Sequence, residues 1–252
     1  MRVLVTNDDG VGSEGLWALA RRVIAAGFDV VVAAPATDMT GMGAALGGDL
    51  GTGAITFAEV ARSDTGSSPC FAVDGPPALC VVLTQLRAFG DPVAAVVSGV
   101  NPGLNCGRST LHSGTVGAAL SAANNGAHGI AVSQHVDGGP QHWDTATHLV
   151  PQLLERLSAV ERGRRVVNVN APNCQVSEVS GVEVTALARW GDAAGELAQV
   201  APGTLLFERK PGGRAPVPGT DHAAVVAGHI AVTELSGVGV AASDLGLDRL
   251  GL

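Results

Sequence analysis

The chain has 252 residues, 46% of them hydrophobic and only 15% charged, so a sizeable core can be buried and intrinsic disorder is excluded. Fifteen Lys and Arg stand against 23 Asp and Glu, a formal charge of −8, which is a poor footprint for nucleic-acid polymers or anionic membranes but leaves room for one local phosphate site. Its apolar runs are broken by Gly, Pro or Ser short of the roughly 18 residues a membrane span needs. Met1-Arg2 leads into RVLVT and then Asn7-Asp8-Asp9 without the pattern of a secretory signal, giving the expectation of a soluble, cytoplasmic protein. Cys70, Cys80, Cys106 and Cys174 show no CxxC spacing, so neither a zinc site nor a disulfide framework is expected.

Residues 2–6 (RVLVT) form an apolar run without polar alternation, which reads as a strand buried on both faces of a parallel sheet. Residues 14–26 place Leu16, Leu19, Ala20, Val23 and Ile24 on one helical face, and Gly27 stops the helix. FDVVVAA follows as a second strand closing at Pro35, completing a strand–helix–strand unit with a right-handed crossover. Residues 36–75 are rich in Gly, Thr and Ser and read as loops with short strands. A helix is expected from Pro76 to about Phe89, a strand over 93–98 and a Gly- and Asn-rich loop over 99–112. Ser113 then caps a helix that ends at Gly126. A strand at 129–133, a helix over 141–158 broken near Pro151, and a strand at 165–170 complete the pattern.

After Pro172 the segments 182–188, 204–209 and 229–235 alternate in polarity and read as antiparallel strands joined by Gly/Pro turns. The expectation is an α/β core with a mostly parallel sheet over 1–172, plus a β-rich extension over 173–252.

Ligands of an open parallel sheet bind beyond the carboxyl ends of its strands, and three polar clusters fall there. Asp8 and Asp9 follow the first strand, and Gly10 supplies the turn that lets adjacent side chains aim at one point. Two converging carboxylates repel unless a cation lies between them, and hard oxygen donors without His or Cys favour Mg²⁺ or Mn²⁺. Taken alone, DDG reads first as a helix cap in a solvated loop. Thr40-Gly41 follows the second strand with a hydroxyl able to complete a magnesium shell, or simply forms a turn. Asn101 and Asn105 lie in the third cluster, which runs into a helix start at Ser113-Gly114-Thr115. Exposed N–H groups and hydroxyls there make an anion site, against the alternative of a capped helix behind a flexible loop. His112 fits a surface or packing role, or protonation of a leaving oxygen.

These residues in this order resemble the SurE family of nucleotidases. The stretches that carry the resemblance are VTNDDGVGSEGL at 5–16, TG at 40–41, VVSGVNPGLNCG at 96–107, HSGTVGAAL at 112–120, NVNAPN at 168–173 and GTDHAAVVAGHIAVTEL at 219–235. The resemblance implies one divalent metal ion per subunit, Mg²⁺ or Mn²⁺, held by Asp8, Asp9, Thr40 and Asn101. It places Asn105, Ser113, Gly114 and Thr115 on the phosphate-contacting segment, and implies a Rossmann-like three-layer α/β/α core over 1–172 with the extension over 173–252 used in oligomerisation, as a homodimer or homotetramer. Three departures stand out: Leu79 where the family commonly has Asp, Ser121-Ala122 where it continues to an acidic residue and Gly, and the segment 41–50.

The expected activity is metal-dependent hydrolysis of a small phosphorylated substrate, nucleoside 5′- and 3′-monophosphates, with Asp8, Asp9 and His112 as catalytic candidates. Attack by water is the preferred route, with a carboxylate nucleophile at Asp8 as the competing one. A phosphatase dedicated to a non-nucleotide metabolite and a non-catalytic binding relative are the alternative classes.

Overall fold

A computed structural model describes residues 1–47, 53–189, 193–211 and 215–238. The chain runs β1 (Arg2–Thr6), α1 (Glu14–Ala25), β2 (Asp29–Pro35), β3 (Phe57–Glu59), β4 (Cys70–Val73), α2 (Pro77–Gln85) and β5 (Ala95–Pro102). It continues with α3 (Gly114–Asn124), β6 (His128–Gln134), α4 (Trp143–Thr147), α5 (Val150–Ser158) and β7 (Val166–Ala171). The last elements are β8 (Gly181–Val184), the hairpin β9 (Ala193–Ala201) and β10 (Thr204–Pro211), α6 (Asp221–Val226) and β11 (His229–Leu235).

Nine strands form one mixed sheet in the order β3-β4-β2-β1-β5-β6-β7-β11-β8. From β4 to β7 every neighbouring pair is parallel, with Val3 of β1 opposite both Val30 of β2 and Ala95 of β5. Alternation along β1 sends Val3 and Val5 to one face, where α1, α4 and α5 contribute Leu16, Ala146 and Leu154. Leu4 faces the other side with Val81 of α2 and Ala118 of α3. Such two-sided coverage explains why RVLVT carries no polar alternation. The expected α/β/α architecture is therefore present. The chain leaves β1 toward β2 on one side and later enters β5 on the other, so a crevice opens between the carboxyl ends of β1 and β5.

Local differences from the expectation have simple causes. The strand at 93–98 continues to Pro102, and Gly107–His112 of the expected loop forms a 3₁₀ helix. The helix from Pro76 stops at Gln85, and the 141–158 helix is split, with Pro151 in the first turn of α5 where its missing N–H costs nothing. One strand direction is corrected: β8, expected to be antiparallel, runs parallel to β11. Alternating polarity reports a half-buried strand but not its direction, and the long excursion through β9, β10 and α6 returns the chain on the parallel course. β11 pairs antiparallel with β7, so the main sheet continues across residue 172, while β9 and β10 form a separate two-stranded sheet. All four cysteines are free thiols. Among the described residues no helix is long and apolar enough to cross a membrane.

Candidate active site

The site begins where β1 runs out. Asn7 is fully buried and donates from Nδ2 to the Gly10 carbonyl at 3.1 Å, closing a tight turn around the two aspartates. Gly10 sits at φ +88°, and a Cβ there would meet the Thr37 backbone at 3.0 Å, so only glycine fits. The following loop is anchored when the Met39 N–H donates to the Asp8 carbonyl at 2.7 Å.

Asp8 is 2% exposed and reaches across the crevice to the start of α3. Its Oδ1 accepts the Thr115 hydroxyl at 2.5 Å, and the carboxylate also accepts the Thr115 backbone N–H. The same hydroxyl lies 3.4 Å from Asn101 Oδ1, while Asn101 Nδ2 donates to the Gly103 carbonyl at 2.6 Å. With its nitrogen committed there, the Asn101 amide turns its oxygen toward Asp8 and Thr115. Helix and carboxylate approach closely: a Cβ on Gly114 would lie 2.7 Å from Asp8 Oδ2. The capping carboxylate thus belongs to α3, a partner 107 residues away, rather than to the adjacent α1, whose Ser13 makes no side-chain cap.

Burial raises the Asp8 carboxyl above its ordinary range, opposed by the Thr115 hydrogen bonds. Asp9 is pushed up to about 7, by burial first and then by the negative charges of Asp8 and Asp38. Asp38 is held low by hydrogen bonds from Thr40, whose hydroxyl and N–H donate to Asp38 Oδ1 at 2.6 and 2.8 Å. Asp9 Oδ2 and Asn7 Oδ1 are buried without a hydrogen-bond partner. Crowded carboxylates with an orphaned oxygen fit a divalent cation. The donors at hand are the Asp8 and Asp9 carboxylates and the Asn101 amide oxygen, all hard oxygens suited to Mg²⁺ or Mn²⁺. Among the described residues no three His, Cys, Asp or Glu side chains converge, so such a set depends on amide and hydroxyl oxygens.

The other sequence candidates are distributed as follows. Thr40 is exposed and engaged with Asp38, so its hydroxyl is not hydrogen-bonded to Asp8, Asp9 or Asn101. Ser113 caps α3, its Oγ accepting the Val116 N–H at 3.1 Å. Two first-turn N–H groups are thus taken within the protein, and an incoming anion would meet the N–H of Gly114 and the α3 dipole. Asn105 Nδ2 donates to Ser133 Oγ at 2.9 Å, leaving its second amide proton. His112 is exposed beside Ser113 at the end of the 3₁₀ helix.

Two further residues matter that lie outside the expected ligand and phosphate sets. Asp38, exposed and outside the ligand set, acts on Asp9 through its negative charge; its signal is the D-x-T pattern after β2, an ordinary turn signature. Asp221 is fully buried and accepts the N–H groups of Gly107 at 2.7 Å and of Ala188 and His222 at 2.9 Å, tying the loop behind the site to α6.

With this geometry in place, comparison with known proteins decides the family. Residues 3–193 match the family described as Survival protein SurE. The chain belongs to the SurE family. The 5′-nucleotidase SurE of Legionella pneumophila is 33% identical over 239 residues, spanning 93% of this chain and 90% of the relative. That of Stenotrophomonas maltophilia is 36% identical over 242 residues, spanning 93% and 89%. The crystal structure of the SurE protein from Aquifex aeolicus superposes with a TM-score of 0.76 at 27% identity, covering 93% of each chain. Against the SurE pattern, Leu79 is 4% exposed in α2 and Ser121 and Ala122 are buried in α3. Of the segment 41–50, residues 48–50 lie outside the described residues.

Proposed function

We propose that this SurE chain is a metal-dependent phosphomonoesterase that hydrolyses nucleoside 5′- and 3′-monophosphates. The carrying observation is the contact of Asp8, Thr115 and Asn101 at the switch point, beside a buried Asp9 oxygen without a partner. The relatives, each a 5′-nucleotidase SurE, suggest the substrate class. Asp8, Asp9 and Asn101 would hold Mg²⁺ or Mn²⁺, with the Thr40 hydroxyl within the loop that Asp8 anchors. When bound, the cation supplies Lewis acidity at a phosphate oxygen and lowers the pKa of water.

The protein's own groups supply the rest. Gly114 N–H and the α3 dipole offset charge on the phosphate oxygens, as oriented dipoles do without reorganising. Asn105 presents its remaining amide proton to the same anion. Thr115 fixes the Asp8 carboxylate with two donors, so it does not turn away from the crevice. His112, exposed beside Ser113, would give a proton to the leaving oxygen. Water is the attacking group: the Asp8 carboxylate is committed to Thr115, which ill suits a nucleophile.

The hairpin supports self-association. A lone two-stranded sheet is marginal in water, yet Leu197 and Leu205 are 67% and 62% exposed on β9 and β10. A homodimer or homotetramer would cover them. Phosphate release measured across nucleoside monophosphates and small sugar phosphates tests the substrate class. Fastest turnover of nucleotides is expected, and turnover confined to another ester would replace it with a dedicated metabolite phosphatase.

A further inference from the structure

The loop between Asn101 and α3 is held by two amides that project from the buried strand β7. β7 is buried along its whole length, with Val167, Val169 and Ala171 packed into the core on one face. The alternate positions are Asn168 and Asn170, both 0% exposed and both on the opposite face. Their side chains converge on the backbone of one residue. Asn168 Nδ2 donates to the Asn105 carbonyl at 2.8 Å, and Asn170 Nδ2 donates to it at 3.2 Å. Asn170 Oδ1 accepts the Asn105 N–H at 2.8 Å. From β6, the fully buried Ser133 accepts the Asn105 side-chain amide at 2.9 Å.

Burying an amide costs free energy unless its groups are paired, and the pairing here is incomplete, because Asn168 Oδ1 has no partner. Apolar side chains at these two strand positions would avoid that cost but leave the Asn105 N–H and carbonyl without their partners. What they could not do is fix both the height and the rotation of the Asn105 peptide. Ser133 then sets the side chain: by taking one amide proton it directs the other away from the sheet.

We propose that Asn168, Asn170 and Ser133 are positioning residues that hold Asn105 in register with the α3 N-terminus for contact with the substrate phosphate. The proposal rests on the phosphomonoesterase reading and deepens it, assigning the clamp to phosphate affinity and not to the cation. Asn101 pairs with Ser133 across β5 and β6, but the side-chain hydrogen bonds of Asp8 and Asn101 go to Thr115 and Gly103 and not to the three clamp residues, so cation affinity should be unaffected by truncating the clamp side chains.

The test compares Ser133→Ala, Asn168→Ala and Asn170→Ala with Val169→Ala, which opens a cavity on the other face of β7 and serves as a control for destabilisation alone. Inhibition by inorganic phosphate, KM and kcat for a nucleoside monophosphate, Mn²⁺ affinity and Tm are measured for each. The clamp variants should raise KM and the phosphate inhibition constant about tenfold with Mn²⁺ affinity unchanged, while Val169→Ala lowers Tm and leaves both constants within twofold. Ser133→Ala removes only a hydroxyl and folds even where an asparagine variant does not. Equal constants for Ser133→Ala and Val169→Ala, or a parallel loss of Mn²⁺ affinity, would overturn the clamp while the activity reading stands. A wild-type protein that neither hydrolyses phosphomonoesters nor binds phosphate would bring down the underlying reading and the clamp with it.

Discussion

Gly114→Ala is the most direct perturbation of the Asp8–α3 contact. The added methyl would lie 2.7 Å from Asp8 Oδ2, 2.8 Å from its Cβ and 3.0 Å from its Cγ. Reaching an ordinary contact of about 3.4 Å requires a displacement of about 0.7 Å. The strand end cannot readily absorb it, because Asp8 is held by Thr115 on one side and by Met39 through its carbonyl on the other. Overpacking of this kind costs about 1–3 kcal/mol, or roughly 2–12 °C in Tm for a chain of this size. Misplacement approaching 1 Å of a group in the reacting assembly costs about 100-fold in turnover. The assay is thermal unfolding with and without Mn²⁺, together with kcat/KM for a nucleoside monophosphate. Gly12→Ala is the control, since a Cβ there meets nothing within 4 Å. A Gly114→Ala protein with the Tm, Mn²⁺ stabilisation and kcat/KM of the control would refute the reasoning.

Three further predictions concern charge, anchoring and assembly. Asp9 has its folded pKa raised from 3.8 to about 7, so the fold favours the protonated form; that stability is fully present below about pH 4 and is lost as pH rises through 7. In the metal-free protein the loss amounts to roughly 4 kcal/mol, with Asp8 shifted in the same direction, so melts in chelator should show Tm falling from pH 5 to pH 8 and Mn²⁺ restoring it at pH 8. A rising Tm in chelator over that interval would reverse the assignment. Asp221→Ala strands the buried N–H of Gly107 and the part-buried N–H groups of Ala188 and His222, and should cost about 3–5 kcal/mol in denaturant unfolding, whereas a loss under 1 kcal/mol would deny it the anchoring role. Leu197→Lys combined with Leu205→Lys should lower the mass measured by sedimentation, and an unchanged mass would move the subunit interface off the hairpin.

What the sequence revealed, and what it did not, follows from the range of the interactions. RVLVT ending in NDDG was readable because burial on both faces erases alternation, and a parallel sheet collects its ligands at the strand ends. Ser113 as the α3 cap was readable from local chemistry and is observed. Contacts made across the fold carried no local signal. Asp8 finds Thr115 at a separation of 107 residues, and Asn105 finds Asn168 and Asn170 more than 60 residues on. Thr40 looked like a free hydroxyl after β2, but a hydroxyl two residues after an aspartate folds back onto it. The direction of β8 depended on where a long excursion returned, which alternation along four residues does not encode.

Phosphate release by metal-stripped protein, before and after adding back Mg²⁺ or Mn²⁺, tests the central claim most directly. With a nucleoside monophosphate as substrate, release should be absent in chelator, return with the cation, and fall at least 100-fold in Asp8→Asn and Asn101→Ala. Release that proceeds unchanged in chelator, or that survives both substitutions, would contradict the account.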